Sequence, residues 1–287
     1  MSAPRPDGLF TVDVEEYFQV EAFASTVSPD SWPTLPSRVE IGTRRVLDLL
    51  ERHATHATFF VVGWVAERQK ALVREIVERG HEIACHGYWH RAIYRMAPDE
   101  FREDLRRART AIESAAGVAV RGYRAPTWSV TAKTLWALEI LADEGFAYDS
   151  SVFPIRHDLY GIPGAPRAPH EHTLASGRRL PEFPPTTVRV AGMTLPAAGG
   201  GYLRLLPLAY SRWALRRVRQ NDAAPGMVYV HPWELDPEQP RMAAPALSRL
   251  RHYTNLDKTE ERLDALLREH RFGPIAAWLD AAEQPAP

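Results

Sequence analysis

Short segments rich in apolar residues alternate with longer amphipathic segments along the first half of the chain. Residues 9–12, 58–62, 81–85 and 118–124 have the length and composition of buried strands. Between them, apolar residues recur every three or four positions, as on the buried face of a helix. Strands that alternate with helices in this way form parallel sheets covered on both faces. The pattern therefore predicts an α/β fold, either a barrel or a doubly wound sheet.

This alternation breaks after residue 150. Residues 151–172 contain four prolines and two glycines, which predicts a long irregular loop. Loops of this length inside compact domains are usually functional or mobile. Further on, the pattern indicates a hairpin or edge strand at 187–195, a flexible glycine turn at 199–201 and a short buried strand at 227–230.

We interpret the chain as one domain with a C-terminal elaboration. The domain occupies residues 8–273, its C-terminal segment begins at about residue 182, and residues 274–287 form a tail. Cys85 is the sole cysteine, so no internal disulfide contributes to the fold. It ends a predicted strand with its side chain turned into the core, where we expect it to pack.

The charge and hydropathy of the chain argue against some classes of binding partner. The 35 basic and 36 acidic side chains give a net charge of −1, which argues against nucleic acid held on a basic face. No apolar run has the length of a membrane-spanning helix, and the N-terminus lacks the apolar stretch of a signal peptide. We therefore expect a cytoplasmic protein.

Polar clusters follow four of the predicted strands directly. In parallel α/β folds the chemistry lies at the carboxyl ends of the strands, because loops from several strands converge there. We therefore expect the four clusters to form one site. They are residues 13–16, 86–90, 124–127 and 231–234.

Two histidines and a group of acids have the composition of an open metal site. His86 and His90 are four positions apart, so a helical turn or tight loop can bring both imidazoles to one ion. Asp13 and Glu15 point to the same face of an extended strand. One of them can serve as a ligand and the other as a general base. Glu16 would face the opposite way unless the strand ends there.

Arg124 and His231 complete the candidate chemistry. A guanidinium at position 124 can hold Asp13 ionised and oriented, and the alternative is a structural ion pair. His231 can act as a general acid, and the alternative is a hydrogen-bonded core histidine. His170 and His172 have the spacing of a metal-binding pair, but they lie in the proline-rich loop and not at a strand end.

Together these residues resemble the polysaccharide deacetylase family, the NodB-like domains of carbohydrate esterase family four. That family's first motif carries a catalytic Asp and a metal-binding acid, and residues 11–16 stand there. Its second motif, His-x-x-x-His, matches the two histidines above. Its third, Arg-x-Pro-Tyr, matches residues 124–127 with Thr127 in place of tyrosine, and its late histidine matches His231.

The resemblance is more specific to one branch, the deacetylases of exosortase (PEP-CTERM) exopolysaccharide loci, and extends from Phe10 to about Gly273. In the first motif, the usual Asp-Asp pair is replaced by Asp-x-Glu-Glu. This leaves Glu15 or Glu16 as the metal ligand, and strand geometry favours Glu15. The family implies a distorted (β/α) barrel of about seven parallel strands with a C-terminal elaboration. The segments that resemble the branch are residues 13–20, 148–154, 231–241 and 252–256.

The resemblance implies a hydrolase that removes N-acetyl groups from N-acetylhexosamine residues of an oligo- or polysaccharide, in exopolysaccharide biosynthesis. It implies Zn²⁺, or another divalent transition metal, with Asp13 as base, Arg124 as its partner and His231 as acid. The expected ligands are Glu15, His86 and His90, and the expected substrate-binding residues are Thr127, Trp128, Trp89 and Trp233.

Three alternatives stay open from the sequence. One is a non-catalytic carbohydrate-binding or assembly protein on the same scaffold, which the divergent first and third motifs favour. The second is a cyclic-amide hydrolase, because a fold does not fix the substrate. The third is a glycosidase that uses Asp13 and a Glu as paired carboxylates without a metal. Exopolysaccharide assembly proteins or a second copy of the chain are the protein partners we consider.

Overall fold

We describe a computed structural model of the chain, which covers residues 5–197, 199–222 and 224–283. Eleven strands occur in this part of the chain, and nine of them belong to one curled sheet. In chain order the strands are β1 (Gly8–Val14), β2 (Thr58–Val61), β3 (Glu82–Cys85), β4 (Gly122–Tyr123), β5 (Tyr148–Asp149), β6 (His170–Thr173), β7 (Arg179–Glu182), β8 (Thr187–Val190), β9 (Met193–Pro196), β10 (Gly226–Val230) and β11 (Phe272–Gly273).

The large sheet is mostly parallel and forms a half-barrel. Its strand order is β10-β1-β2-β3-β4-β5-β7-β6, and β11 pairs with the start of β1. The first seven strands of this order run parallel, and β6 joins the edge antiparallel to β7. The predicted class, a distorted (β/α) barrel of about seven parallel strands, is confirmed.

Helices cover the outer face of the sheet, as the amphipathic segments predict. The longest begins at a proline, which suits the first turn of a helix, and is followed by Gly117 at a φ of 74°. In chain order the helices are α1 (Val39–Arg52), α2 (Gly63–Arg68), α3 (Lys70–Glu78), α4 (Pro98–Ala116), α5 (Trp136–Asp143), α6 (Gly200–Leu205), α7 (Leu208–Arg217), α8 (Ala246–Tyr253), α9 (Thr259–Glu269) and α10 (Ile275–Glu283).

The hydrophobic core consists of an outer cluster between the sheet and the helices and a smaller inner cluster inside the curled sheet. Alternate side chains of β1 divide between them, since Phe10 belongs to the outer cluster and Leu9 to the inner one. Ile275 and Leu279 of α10 pack into the inner cluster. Residues 274–287, which we predicted as a tail, therefore begin with a packed helix, and residues 284–287 lie outside the described part. The alanine-rich sequence of this helix gives little sign of the side chains that anchor it.

Four other predictions from the sequence concern the loops and Cys85. The 151–172 segment is irregular up to His170, where β6 begins, and β8 and β9 form the predicted hairpin. The glycines at 199–201 do not form a free turn, because α6 begins among them. Cys85 is fully buried, and burial raises the pKa of its thiol to about 12, which agrees with a packing role.

None of the helices in the described ranges has both the length and the apolar composition needed to cross a membrane.

Gly42 in α1 allows close contact with the turn that follows β10. A Cβ at this position would lie 2.0 Å from the carbonyl oxygen of Pro232. We expect Gly42→Ala to lower the free energy of unfolding by about 1–3 kcal/mol or more, since backbone overlap outweighs the gain of about 1 kcal/mol in helix propensity. Urea unfolding measures the change. Gly201→Ala is the control, because its Cβ would meet no atom nearer than 3.9 Å; equal midpoints for the two variants would contradict the prediction.

Candidate metal centre and active site

The four polar clusters predicted from the sequence meet at the carboxyl end of the sheet. Asp13 lies in β1 and Glu15 just beyond it. His86 follows β3 directly, Arg124 follows β4 and His231 follows β10. Because β10, β1, β2, β3 and β4 are neighbours in the sheet, their ends open into one cleft of about 560 Å³.

Glu15, His86 and His90 form a cluster with the dimensions of a metal site. One possible ligand atom from each lies within 4.8 Å of the others. Oε2 of Glu15 is 2.5 Å from Nε2 of His90. The loop that carries His90 turns through Gly87, which has a φ of 68°. Asp104 of α4 fixes this loop by accepting hydrogen bonds from two of its backbone N–H groups.

Backbone carbonyls set the tautomers of both histidines. Nδ1 of His86 lies 2.8 Å from the carbonyl oxygen of Arg124, and Nδ1 of His90 lies 2.8 Å from that of Gln19. A carbonyl oxygen only accepts, so each Nδ1 carries a proton and, in the neutral ring, Nε2 presents a lone pair. Among the described residues, oxygen Oε2 of Glu15 has no polar partner other than Nε2 of His90. Two imidazole nitrogens and a carboxylate oxygen form a set of ligands that fits a divalent transition metal.

The electrostatics of the cluster favour the ligand forms of Glu15 and His86. Burial raises the pKa of Glu15, but the charges of His90 and His231 outweigh it, so this pKa lies below its usual range. Burial lowers the pKa of His86 to about 4, which keeps its ring neutral at physiological pH. Burial also lowers the pKa of His90, but the neighbouring Glu15 carboxylate more than compensates and raises it.

The structure separates the two candidate acids of the first motif. Glu15 faces the histidines, and its other oxygen accepts a hydrogen bond of 2.9 Å from the indole nitrogen of Trp233. Glu16 points to the other side of the chain, where it accepts hydrogen bonds from the Ser37 hydroxyl and the Arg38 backbone. Glu15 is therefore the acid that belongs to the cluster.

Asp13 and Arg124 form a buried ion pair beside the cluster. Nη1 of Arg124 donates to Oδ1 of Asp13 over 2.6 Å, and Nη2 donates to the Ser150 hydroxyl over 2.9 Å. The guanidinium is fully buried and stacks over the ring of Phe60. This arrangement fixes Asp13 and leaves its Oδ2 3.8 Å from Nε2 of His231.

His231 is held by Glu234, to which the sequence interpretation gave no role, and Glu234 is held by Arg204, which that interpretation did not select. Nδ1 of His231 lies 2.7 Å from Oε1 of Glu234, and Oε2 of Glu234 accepts a hydrogen bond of 2.6 Å from Nε of Arg204. Burial lowers the pKa of His231, but the charges of Glu15 and Glu234 outweigh it and raise it to about 9. The His-x-x-Glu spacing could have indicated Glu234, whereas Arg204 comes from α6 without any local signal.

The predicted substrate-binding residues divide between two cavities. Thr127, Trp128 and Trp233 line the cleft that holds the cluster, whereas Trp89 lines an adjoining cavity. His170 and His172 lie away from both, on the edge strand β6. Residues that the sequence interpretation did not select also line the cleft; they include His157, Tyr160, Tyr202 and Arg251 from the C-terminal half.

Two family models match the chain. Residues 31–145 match the model described as polysaccharide deacetylase, and residues 150–280 match a domain of unknown function, DUF3473. Together the two segments span most of the chain. Residues 31–145 therefore carry a polysaccharide deacetylase (NodB-like) domain.

Curated deacetylases match part of the chain, and a solved structure shares its fold. A chitooligosaccharide deacetylase from Bradyrhizobium sp. (strain ANU 289) is 38% identical over 101 residues, which are 35% of this chain and 43% of the relative. A peptidoglycan deacetylase from Helicobacter pylori is 33% identical over 113 residues, 39% of this chain and 38% of the relative. The matches thus span less than half of either relative. A crystallised Mycobacterium smegmatis protein, described as a candidate polysaccharide deacetylase, shares the fold with a TM-score of 0.64 and 23% identity over 100% of this chain and 96% of its own.

The cluster geometry generates a prediction on metal binding. We expect the chain to bind one Zn²⁺ in a chelator-competition titration and His90→Ala to weaken that binding at least about 100-fold, because a direct ligand contributes more than an outer partner. His172→Ala is the matched control, since this histidine lies on the edge strand. Unchanged stoichiometry and affinity in His90→Ala would contradict the assignment.

Proposed function

We propose that this protein is a Zn²⁺-dependent hydrolase that removes N-acetyl groups from N-acetylhexosamine residues of a glycan. The observation that carries the proposal is the buried cluster of Glu15, His86 and His90 beside the Asp13–Arg124 pair. Names of the relatives support the substrate class, since they are deacetylases of chitooligosaccharide and peptidoglycan. Exopolysaccharide biosynthesis is the proposed context, with exopolysaccharide assembly proteins or a second copy of the chain as proposed protein partners.

The metal would be held by Nε2 of the two histidines and a carboxylate oxygen of Glu15. A divalent ion there supplies positive charge that polarises a carbonyl oxygen and acidifies water. The remaining chemistry belongs to side chains of this protein. Trp233 orients the ligand carboxylate through its N–H group, which is the usual role of a hydrogen bond behind a metal ligand.

Asp13 is the proposed general base. It accepts a proton from the water molecule that attacks the acetamide carbon, and Arg124 balances its charge inside the protein. Because the guanidinium bonds to Oδ1, the other oxygen of Asp13 is available to the cleft.

His231 is the proposed general acid. Its Nε2 faces the cleft between Asp13 and Glu15, and the carboxylate of Glu234 favours its protonated form. It gives this proton to the amine as the carbon–nitrogen bond breaks, so the sugar amine leaves as a neutral group. Glu234 accepts from Nδ1 and keeps Nε2 directed at the leaving nitrogen.

Thr127, Trp128 and Trp233 are the proposed substrate contacts in the cleft. Thr127 has a φ of 58°, a left-handed backbone that a non-glycine residue adopts rarely. Its backbone N–H is the proposed donor to the oxyanion, and the two tryptophans offer aromatic faces to the sugar ring. Trp89 is a proposed contact outside this cleft.

Removing the base tests the mechanism separately from metal binding. We expect Asp13→Asn to lower acetate release from N-acetylglucosamine oligomers by about 10²–10⁴-fold while Zn²⁺ content stays at one per chain. Asp257→Asn, a change at an exposed acid, is the control. Acetate release at the wild-type rate by Asp13→Asn would overturn the assignment. Shortened oligomers or opening of a cyclic amide, with no acetate, would favour the alternative hydrolases.

Substrates with different leaving groups test the acid. We expect His231→Ala to lose about 10²–10⁴-fold in amide hydrolysis but far less with p-nitrophenyl acetate, whose phenolate leaves without protonation. Asp13→Asn should lose activity on both substrates, because both need an activated water. Equal losses for His231→Ala on amide and aryl ester would exclude an acid role for His231.

A further inference from the structure

Four leucine side chains are exposed around the mouth of the cleft. Leu205 lines the cleft itself, and Leu159 lies in the loop between His157 and Tyr160, which also line it. Exposed apolar side chains that occur together mark a binding surface, whereas single ones are normal. We call this group the rim patch; its members are Leu159, Leu205, Leu247 and Leu250, with exposed fractions from 42% to 62%.

Helix α8 joins the rim patch to the cleft. Arg251 of this helix lines the cleft, and Leu247 stands four positions earlier, on the same face of the helix. Leu250 is three positions after Leu247, so these two leucines are neighbours on the helix surface. Helix α6, which ends at Leu205, packs against α8. The rim patch and the mouth of the cleft therefore lie on the same side of the protein.

The inner face of α8 is anchored in the core. His252 is buried, and its imidazole lies almost parallel to the indole of Trp233, with 4.2 Å between the ring centres. The carbonyl oxygen of His252 accepts a hydrogen bond of 2.9 Å from Nη1 of Arg204. Before the helix, the Thr26 hydroxyl donates to the carbonyl oxygen of Ala243 over 2.9 Å. The helix thus presents its leucines to solvent from a fixed position.

Positive charge is concentrated around α8, although the chain as a whole has a net charge of only −1. No acid occurs between Glu238 and Asp257 in the sequence. The adjoining loop adds Arg156 and Asp158, whose charges offset each other. A helix that carries leucines and arginines without acids is typical of segments that lie on an anionic membrane surface. The exposed arginines of this segment are Arg241, Arg249 and Arg251.

We propose that the rim patch and the arginines of α8 dock this protein on the surface of an anionic lipid bilayer. The leucines enter the headgroup region, and the arginines contact the lipid phosphates. Because Leu205 and Arg251 belong both to the docking face and to the cleft, the bilayer then borders the mouth of the cleft. The cleft would be open to saccharides held close to the membrane. Docking itself does not depend on the chemistry proposed above.

A bilayer suits this surface better than a protein partner does. The leucines of the rim patch come from three separate segments of the chain, and the patch contains no aromatic side chain. Protein interfaces are enriched in aromatic anchors that fill complementary pockets, so both partners need a defined shape. A fluid bilayer accepts protruding side chains without such a pocket, and its phosphates complement the charge of the arginines.

Sedimentation with lipid vesicles tests the proposal on the full chain. We expect the protein to bind vesicles that contain equal parts of phosphatidylglycerol and phosphatidylcholine at least about tenfold more strongly than vesicles of phosphatidylcholine alone. The physical reason is that each arginine near an anionic surface contributes about a factor of five. Salt at about 1 M should release the protein, because it screens these charges. Equal binding to the two kinds of vesicle would overturn the proposal.

Matched substitutions identify the face that binds. Leu250→Ser should weaken binding to the anionic vesicles about three- to tenfold, because it removes an apolar side chain from the headgroup region. Val118→Ser is its control, since this exposed valine precedes β4, at the end of the sheet opposite the cleft. Arg249→Gln should weaken binding about fivefold. Its control is Arg74→Gln, at an exposed arginine on α3. Equal binding by each variant and its control would contradict docking through α8.

A fluorophore at the rim patch reports contact with lipid directly. Cys85 is fully buried, so Leu250→Cys supplies an accessible thiol for a polarity-sensitive bimane label. We expect the emission of this label to shift to the blue when anionic vesicles are added, whereas the same label on Val118→Cys should not respond. A response from Val118→Cys alone, or from neither label, would show that another face binds or that none does.

The competing occupant of this surface is a second copy of the chain. Sedimentation velocity without vesicles distinguishes it, because a dimer that Leu250→Ser dissociates would assign the rim patch to self-association and overturn bilayer docking. A monomer in both proteins agrees with the proposal. None of these measurements includes a glycan. Vesicle binding without acetate release would therefore leave docking intact and count against the proposed function, and acetate release without vesicle binding would do the reverse.

Discussion

Charge compensation for buried carboxylates is the constraint on which this site depends. Asp13, Glu15 and Glu234 are each at most 2% exposed, and an unpaired charge at such a position would cost several kcal/mol. Two of the three acids have an arginine as partner. Arg124 pairs with Asp13 and Arg204 with Glu234, and both guanidinium groups are permanently charged. Glu15 has only imidazoles beside it, which can lose their protons. It is therefore the one acid of the three whose charge a metal ion would balance better than the protein does.

The two matched segments of the chain contribute to one site and not to two. The first supplies His86, His90 and Arg124, and the second supplies His231 with Glu234 and Arg204. They meet because β10 adds to the sheet beside β1, in a register that pairs Val12 with Val230. The parallel pairing brings the strand ends level, so the proposed base and acid face each other across neighbouring strands. A domain that ended at residue 145 would lack His231, the proposed general acid.

Much of this arrangement could be predicted from the sequence, and physical reasons explain why the rest could not. Periodicity locates β1 and β3, and the convergence of parallel strand ends then brings Asp13 and His86 together before any coordinates are known. Strand alternation also separates Glu15 from Glu16. Arg204 could not be predicted, because it reaches Glu234 through tertiary packing of α6 and is anchored by the carbonyl oxygens of His252 and Thr254. Helix α10 lies beyond the predicted end of the domain at residue 273, although Ile275, Trp278 and Leu279 pack on the inner cluster.

The backbone is strained at Thr127, the position at which this chain departs from the third motif of the deacetylase family. Thr127 and Trp128 are consecutive non-glycine residues with φ values of 58° and 53°, each of which costs roughly 1–3 kcal/mol. The surroundings enforce this conformation, since Trp128 packs between Arg124 and Phe153 and the Ser129 hydroxyl accepts a hydrogen bond from the backbone of Ile93. Strain that neighbours hold in place at the wall of a cleft is typical of a site that must present its backbone. A backbone N–H does not depend on the identity of its side chain, so threonine in place of the family's tyrosine is compatible with the proposed oxyanion contact.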